Sequence, residues 1–236
     1  MPLTTTTIFS STTLNSAQLI SILETSDPTL TSTAFTLHHS IYRSTPTPAP
    51  QPATSHLQIL QLSSRPNLTF LTTSTSLPDV DKVAVVAIPT DSDGDFRRLL
   101  REKFGPLWQG VKAGEMRATG SSLVIGMFQV VAADLMRDRG LYSGGAEYRG
   151  TLISVSVIDE EIATASHRSL IQEFCAEIGL DLSGDGDGEV WGDFATMQSE
   201  VELWCSVLRQ HVSGTTTGRP PPALGIASPS TKSTQE

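Results

Sequence analysis

Segments of period two follow one another through the middle of this chain, with connections too short to hold a crossover helix. Strands joined that way pair antiparallel, and this excludes a parallel α/β fold. Residues 122–132 and 149–158 are the plainest cases. In the first, Leu123, Ile125 and Met127 alternate with Val124, Phe128 and Val130. In the second, Leu152 shares a face with Ser154, Ser156 and Ile158, while Ile153, Val155 and Val157 lie opposite.

The other elements fall around these. Residues 14–24 predict a short helix, with Ser16 as its N-cap and Leu19, Ile20 and Leu23 as its stripe. Residues 34–43 alternate, placing Phe35, Leu37, His39 and Ile41 on one face. Residues 56–62 and 67–72 predict a hairpin turned at Arg65-Pro66-Asn67, with Leu57, Ile59 and Gln61 on the face opposite Leu60 and Leu62. Residues 83–88, VAVVAI, are apolar on both faces and predict a central or doubly covered strand. Residues 93–104 predict an amphipathic helix with Phe96, Leu99, Leu100 and Phe104 on one side, capped by Asp93 or Asp95 and stopped by Gly105 and Pro106. Residues 111–118 predict a strand separate from 122–132. Residues 166–178 predict a helix striped by Leu170, Ile171, Phe174 and Ile178 and ended by Gly179. In 193–210, Phe194, Met197, Val201, Trp204 and Leu208 form a seam that either faces the core or docks in a partner's groove.

The fold class that follows is α+β: an antiparallel β-barrel-like sheet with helices packed on one side. One domain covers 1–211. It carries a Pro-rich loop at 44–55, with proline at 46, 48, 50 and 52, and an acidic Gly-rich loop at 181–189. The Pro-rich loop reads as a linker or as a ligand for a proline-recognition module. Residues 212–236 are rich in Ser, Thr, Pro and Gly and read as a disordered tail.

Charge narrows the function. The chain has 25 acidic against 16 basic residues and a formal net charge of -9, which argues against a dedicated nucleic-acid binder. The excess sits in 159–202, where Arg168 is the one formal cation. That stretch reads either as a solvated face or as a docking surface for a basic protein. No apolar run reaches the roughly 18 residues of a membrane span, and the start MPLTTTTIFSSTT has neither the cationic nor the apolar region of a secretory signal. Cys175 and Cys205 are too few for a disulfide scaffold, so the expected setting is the cytosol or nucleus.

Candidate chemistry fails residue by residue. Asp91, Asp93 and Asp95 mimic a calcium loop, but its glycine position is Phe96. Asp181, Ser183 and Asp185 make a second near miss, with Gly192 where a bidentate carboxylate belongs. His38, His39, His56, His167 and His211 show no zinc spacing with the cysteines. Both cysteines lie on helix patterns, where a buried thiol packs as a small hydrophobe. Gly184, Gly186 and Gly188 alternate with aspartates that would repel phosphate, and Asp159-Glu160-Glu161 reads as a solvated turn. No catalytic, cofactor-binding or metal residue is assigned, and partner-binding residues stay open. The enzymatic alternative is a triphosphate-hydrolysing tunnel, which needs inward carboxylates and several inward cations. Residues 122–131 and 151–158 carry no charge, against that alternative. A small-ligand-binding barrel is the remaining one.

The order of elements resembles the Mediator subunit 20 family, particularly its fungal branch. The resemblance runs over 1–211 and rests on Met1-Pro2-Leu3, the segment 35–43 followed by prolines, Pro106-Leu107-Trp108, Gly126 and Phe128, Arg149-Gly150-Thr151, Phe174-Cys175 and residues 203–209, LWCSVLR. Two departures stand out. Met127 occupies the Asp of a Gly-Asp-Phe signature, and Ser154 and Ser156 replace a Glu-x-Glu pair. The resemblance implies a nuclear, non-enzymatic coactivator subunit without cofactor. It implies a direct heterodimer with Mediator subunit 18, tethered through subunit 8 to the head module. It further implies relay of regulatory signals to RNA polymerase II and the general machinery, with contact to TATA-binding protein and no direct contact with nucleic acid or membrane.

Overall fold

The structure is a computed structural model that describes residues 6–11, 14–27, 30–45, 54–76, 81–138, 145–158, 164–180, 190–192 and 196–213. Nine strands form one antiparallel sheet: β1 Thr6–Ser11, β2 Thr31–Ser44, β3 Thr54–Leu62, β4 Leu68–Ser76, β5 Asp81–Pro89, β6 Trp108–Ile125, β7 Phe128–Asp138, β8 Ala146–Val157 and β9 Val190–Gly192. Their spatial order is β5-β4-β3-β2-β6-β7-β8-β1-β9. Helices α1 Ser16–Ser26, α2 Asp93–Glu102, α3 Thr164–Glu177 and α4 Met197–Ser213 complete the fold. The expected antiparallel sheet is therefore present. It stays open: among the described residues, β5 and β9 end the order without pairing to each other.

The period-two pattern sorts the core into two faces. Val130 and Ala132 of β7 pack with Ile153, Val155 and Val157 of β8 against Leu19 and Leu23 of α1 and Ile171 and Phe174 of α3. On the same side, Leu100 of α2 meets Leu57 and Ile59 of β3. Three helices thus cover one face, as the sequence predicts. The alternate residues Val131, Ala133 and Leu135 of β7, with Leu152 of β8, turn to the other face and meet α4. Val201, Leu203, Trp204, Cys205, Val207 and Leu208 of that helix are all buried. A helix apolar on most of its circumference needs walls on several sides. The sheet supplies them by curling, because α4 touches β1 and β9 at one end of the strand order and β3, β4 and β5 at the other. Register shifts at Ser40/Tyr42 and at Leu135/Met136 mark bulges, which increase local bend and twist.

Four expectations change. First, β5 is an edge strand rather than a central one, and Val83 and Val86 are 40% and 56% exposed. Second, 111–118 and 122–132 do not form two strands. Backbone pairing runs unbroken from Glu115 to Ile125, straight through Gly120-Ser121-Ser122, and the turn falls at Gly126-Met127, between paired Ile125 and Phe128. Gly126 has φ 54°, at the first central position of a two-residue hairpin, where the favoured primed turns need a positive φ. Third, Asn15 rather than Ser16 caps α1, in a reciprocal box with Gln18. Ser16 instead donates its backbone N–H and its hydroxyl to the Asp134 carboxylate, at 2.9 and 2.8 Å. Fourth, α2 has no side-chain cap: Asp93 pairs with Arg97 at 2.7 Å. Of its stripe, Leu100 is buried, while Leu99 and Phe104 are 45% and 41% exposed. The seam of α4 faces the core at Val201, Trp204 and Leu208, and the helix continues through Ser213 into the segment expected as tail. Gly179 ends α3 as expected, at φ 74°, with Leu180 N–H reaching back to Cys175 O at 2.7 Å. Phe194, the start at 1–3, the prolines at 46–52, Asp159-Glu160-Glu161, the 181–189 loop and 214–236 lie outside the described residues.

Gly120 marks the tightest place in the sheet. A Cβ there would lie 1.9 Å from the Ala132 carbonyl oxygen, a backbone atom that cannot swing away. Gly120→Val is expected to cost at least about 3 kcal/mol or to prevent folding, read by urea unfolding. A variant with unchanged midpoint would show that β6 and β7 do not approach so closely.

Candidate functional site

Helix α4 does not fill the concave face along its whole length. Beside its first half lies a cavity of about 430 Å³. Its apolar wall is Phe35, Val131 and Trp204, with Phe35 and Trp204 stacked at a centroid distance of 5.8 Å. Beside Val131 the sheet contributes polar side chains: Thr33, Ser122, Gln129, Ser154 and Ser156. Strand pairing sets these groups together, since Ser156 lies across from Gln129 and Ser154 across from Val131. The amide Nε2 of Gln129 donates to Ser122 Oγ at 2.8 Å. Ser63, Ser64 and Arg65, from the β3–β4 turn, complete the lining. Arg65 Nη2 lies 3.2 Å from Glu200 Oε2 in the first turn of α4.

This lining has little reactive capacity. Arg65 and Glu200 are the charged groups in it, and they are paired with each other. Acid–base hydrolysis needs a positioned base within hydrogen-bond reach of the group it activates, and the lining holds no histidine. Phosphate capture needs several cations, and the single Arg65 is already neutralised. Serine hydroxyls serve here as hydrogen-bonding surface.

The residues weighed from sequence do not converge. Asp93 and Asp95 pair along α2 with Arg97 and Arg98, at 2.7 and 3.1 Å, while Asp91 sits in the preceding 3-10 turn, Thr90–Ser92. Among the described residues, no three His, Cys, Asp or Glu lie together in a way that could hold a metal ion. Cys175 and Cys205 are both buried in apolar clusters. Cys205 Sγ lies 3.6 Å from Thr72 Oγ1, and burial pushes its pKa up to about 12, so it remains a thiol. His39 is buried under α4, with Nε2 at 2.9 Å from Gln58 Oε1. Its Nδ1 has no hydrogen-bond partner among the described residues.

A family model described as "TATA-binding related factor (TRF) of subunit 20 of Mediator complex" matches residues 2–186. The chain belongs to this Mediator subunit 20 family. It is therefore a Mediator subunit concerned with transcription. No curated protein matches it significantly by sequence. Among solved structures, it is similar to a chain of the Schizosaccharomyces pombe Mediator head module, at 14% identity and a TM-score of 0.43, over 79% of this chain and 98% of that one. It is also similar to the PH1819 protein of Pyrococcus horikoshii, at 15% identity and a TM-score of 0.40, over 75% of this chain and 90% of that one. A third is a putative adenylyl cyclase of Hippeastrum with a dominant triphosphatase activity, at 13% identity and a TM-score of 0.40, over 79% of this chain and 93% of that one. Similarity at this level carries no functional argument.

The two positions expected to depart from the family pattern have definite places in the fold. Met127 lies in the β6–β7 turn, and Ser154 and Ser156 face the cavity, each 2% exposed. Two features escaped the sequence reading. One is the Arg65–Glu200 pair, which no spacing could reveal across 135 residues. The other is Asp134, whose carboxylate also accepts from Thr151 Oγ1 at 2.9 Å and so ties α1 to β7 and β8. Its signal was visible, because Asp134 is the lone charge inside VVAADLM.

Burial of His39 has a pH consequence. Desolvation lowers its pKa from 6.5 to about 4, against the opposing pull of Gln58. Between those values the unfolded chain binds a proton that the folded chain refuses. Stability is therefore whole above pH 6.5 and falls as pH drops toward 4, by up to about 3 kcal/mol. His38, His56 and His211 are also shifted down, so they act in the same direction. Urea midpoints measured from pH 7 to pH 4.5 should fall less steeply for His39→Gln than for the wild type. Parallel curves would remove His39 as a cause.

Proposed function

We propose that the chain is a non-enzymatic scaffold subunit of the Mediator head module, acting in the nucleus as a direct heterodimer with subunit 18. Subunit 8 tethers that pair to the head, and the assembly passes regulatory signals to RNA polymerase II and the general factors, TATA-binding protein among them. The observation that carries this reading is the family match over residues 2–186. The interior supports it. Where a tunnel enzyme would gather carboxylates and cations, α4 places Val201, Trp204 and Leu208, and the space left beside it is lined by uncharged side chains apart from the Arg65–Glu200 pair. The acidic balance of the chain suits protein partners better than nucleic acid.

Co-expression with subunit 18 of the same organism, followed by size-exclusion chromatography, tests the reading. A 1:1 species that survives moderate salt is the expected result. A well-behaved monomer that ignores subunit 18 would sink the assignment.

A further inference from the structure

Strand β5 pairs with β4 along its whole length and, among the described residues, with no strand on its other side. Exposed edges of this kind are usually guarded by a charge within the strand, a bulge or a central proline. The charges and the proline of β5, Asp81, Lys82 and Pro89, sit at its two ends; from Val83 to Ile88 there is none, and pairing with β4 runs without a register shift. Both faces of the strand carry exposed side chains, although Val85 packs against the core around α4. Val83, across from Ser74, is 40% exposed on the concave side. Val86, across from Leu71, is 56% exposed on the convex side, where Leu99 of α2 is 45% exposed. Ala84 and Ala87 are exposed as well. An uncharged β-branched run of this length, left open at an edge, is a template for pairing with another chain.

We propose that the free edge of β5 is a docking strand for an extended, uncharged segment of a protein partner, which adds to the sheet as a further strand. Main-chain hydrogen bonds to β5 supply affinity, and alternate side chains of the added strand cover Val83 on one face and Val86 on the other. The surface selects the occupant. A charged residue set against Val83, Val85 or Val86 would lose water without gaining a counter-charge, so the complementary strand is apolar on both faces. The choice of subunit 18 as test partner rests on the function proposed above.

The test uses the whole chain, co-expressed with subunit 18, as wild type, Val86→Lys and Val86→Thr. Val86→Thr keeps a β-branched side chain and should be captured like the wild type. Val86→Lys places a charge at the edge and should be captured at least tenfold less, with a melting temperature within a few degrees of wild type. In the complex, amide exchange over 81–89 should slow at least tenfold relative to the free chain, a readout independent of how any variant folds. Equal capture of wild type and folded Val86→Lys, or unchanged exchange over 81–89, overturns the edge proposal alone. A wild-type dimer that Val86→Lys converts to monomer makes a second copy the occupant, which also overturns it. A wild-type chain that binds no subunit 18 sinks the heterodimer proposed above, and this proposal with it.

Discussion

Burial of α4 in the hollow of the sheet is the contact on which the remaining architecture depends. The helix presents apolar side chains on nearly every side between Val201 and Leu208, and no flat surface could cover them. A curled sheet can. Curling in turn sets the demands on the strands: the bulges at Ser40/Tyr42 and Leu135/Met136, and the missing side chain at Gly120 where β7 comes close. The convex face then has to be covered separately, by α1, α2 and α3. Strand β7, apolar on both faces, is the layer shared by the two cores, and β8 adds Leu152 to one and Ile153, Val155 and Val157 to the other.

That helix also carries the polar contacts of the interior. Cys205 reaches Thr72, and Arg209 Nη1 donates to Ser74 Oγ at 3.2 Å, so α4 is held to β4 at two levels. His39 and Gln58 pair beneath it. Buried polar groups cost free energy unless paired, and the contacts of Cys205 and Arg209 fix the position of a helix whose apolar surface alone would tolerate sliding. At the other end, Arg65 holds Glu200 near the helix N-terminus, where a carboxylate is also favoured by the helix dipole.

Much of this was legible because a buried face imposes a period. Phe35, Leu37, His39 and Ile41 are all buried on one side of β2, and the alternation of Leu152 with Ile153 assigns each to the correct core. The misreadings have physical causes. Gly120, Ser121 and Ser122 look like a turn because they are small and polar, but Gly120 is required by close packing within a continuous strand. The true turn needs only Gly126 and Met127, too short to interrupt an apolar pattern. Ser16 resembles a cap, yet its hydroxyl is claimed by Asp134, a long-range partner that no local pattern encodes. The cavity was invisible for a related reason. Ser154 and Ser156 occupy inward positions with polar side chains, and only pairing with β7 sets Gln129 and Val131 beside them.

The misplacement of β5 differs in kind from the others. An apolar run on both faces records how much burial a strand demands, and within one chain that demand reads as a central position. Here the isolated fold leaves the demand unmet, with Val86 more than half exposed at the edge. A sequence selected within an assembly carries burial requirements for surfaces that other chains supply, and reading it as a self-sufficient domain assigns those requirements to its own core. The mismatch between pattern and position therefore points outward. It separates β5 from β7, whose apolar faces are covered by α4 on one side and by α1 and α3 on the other.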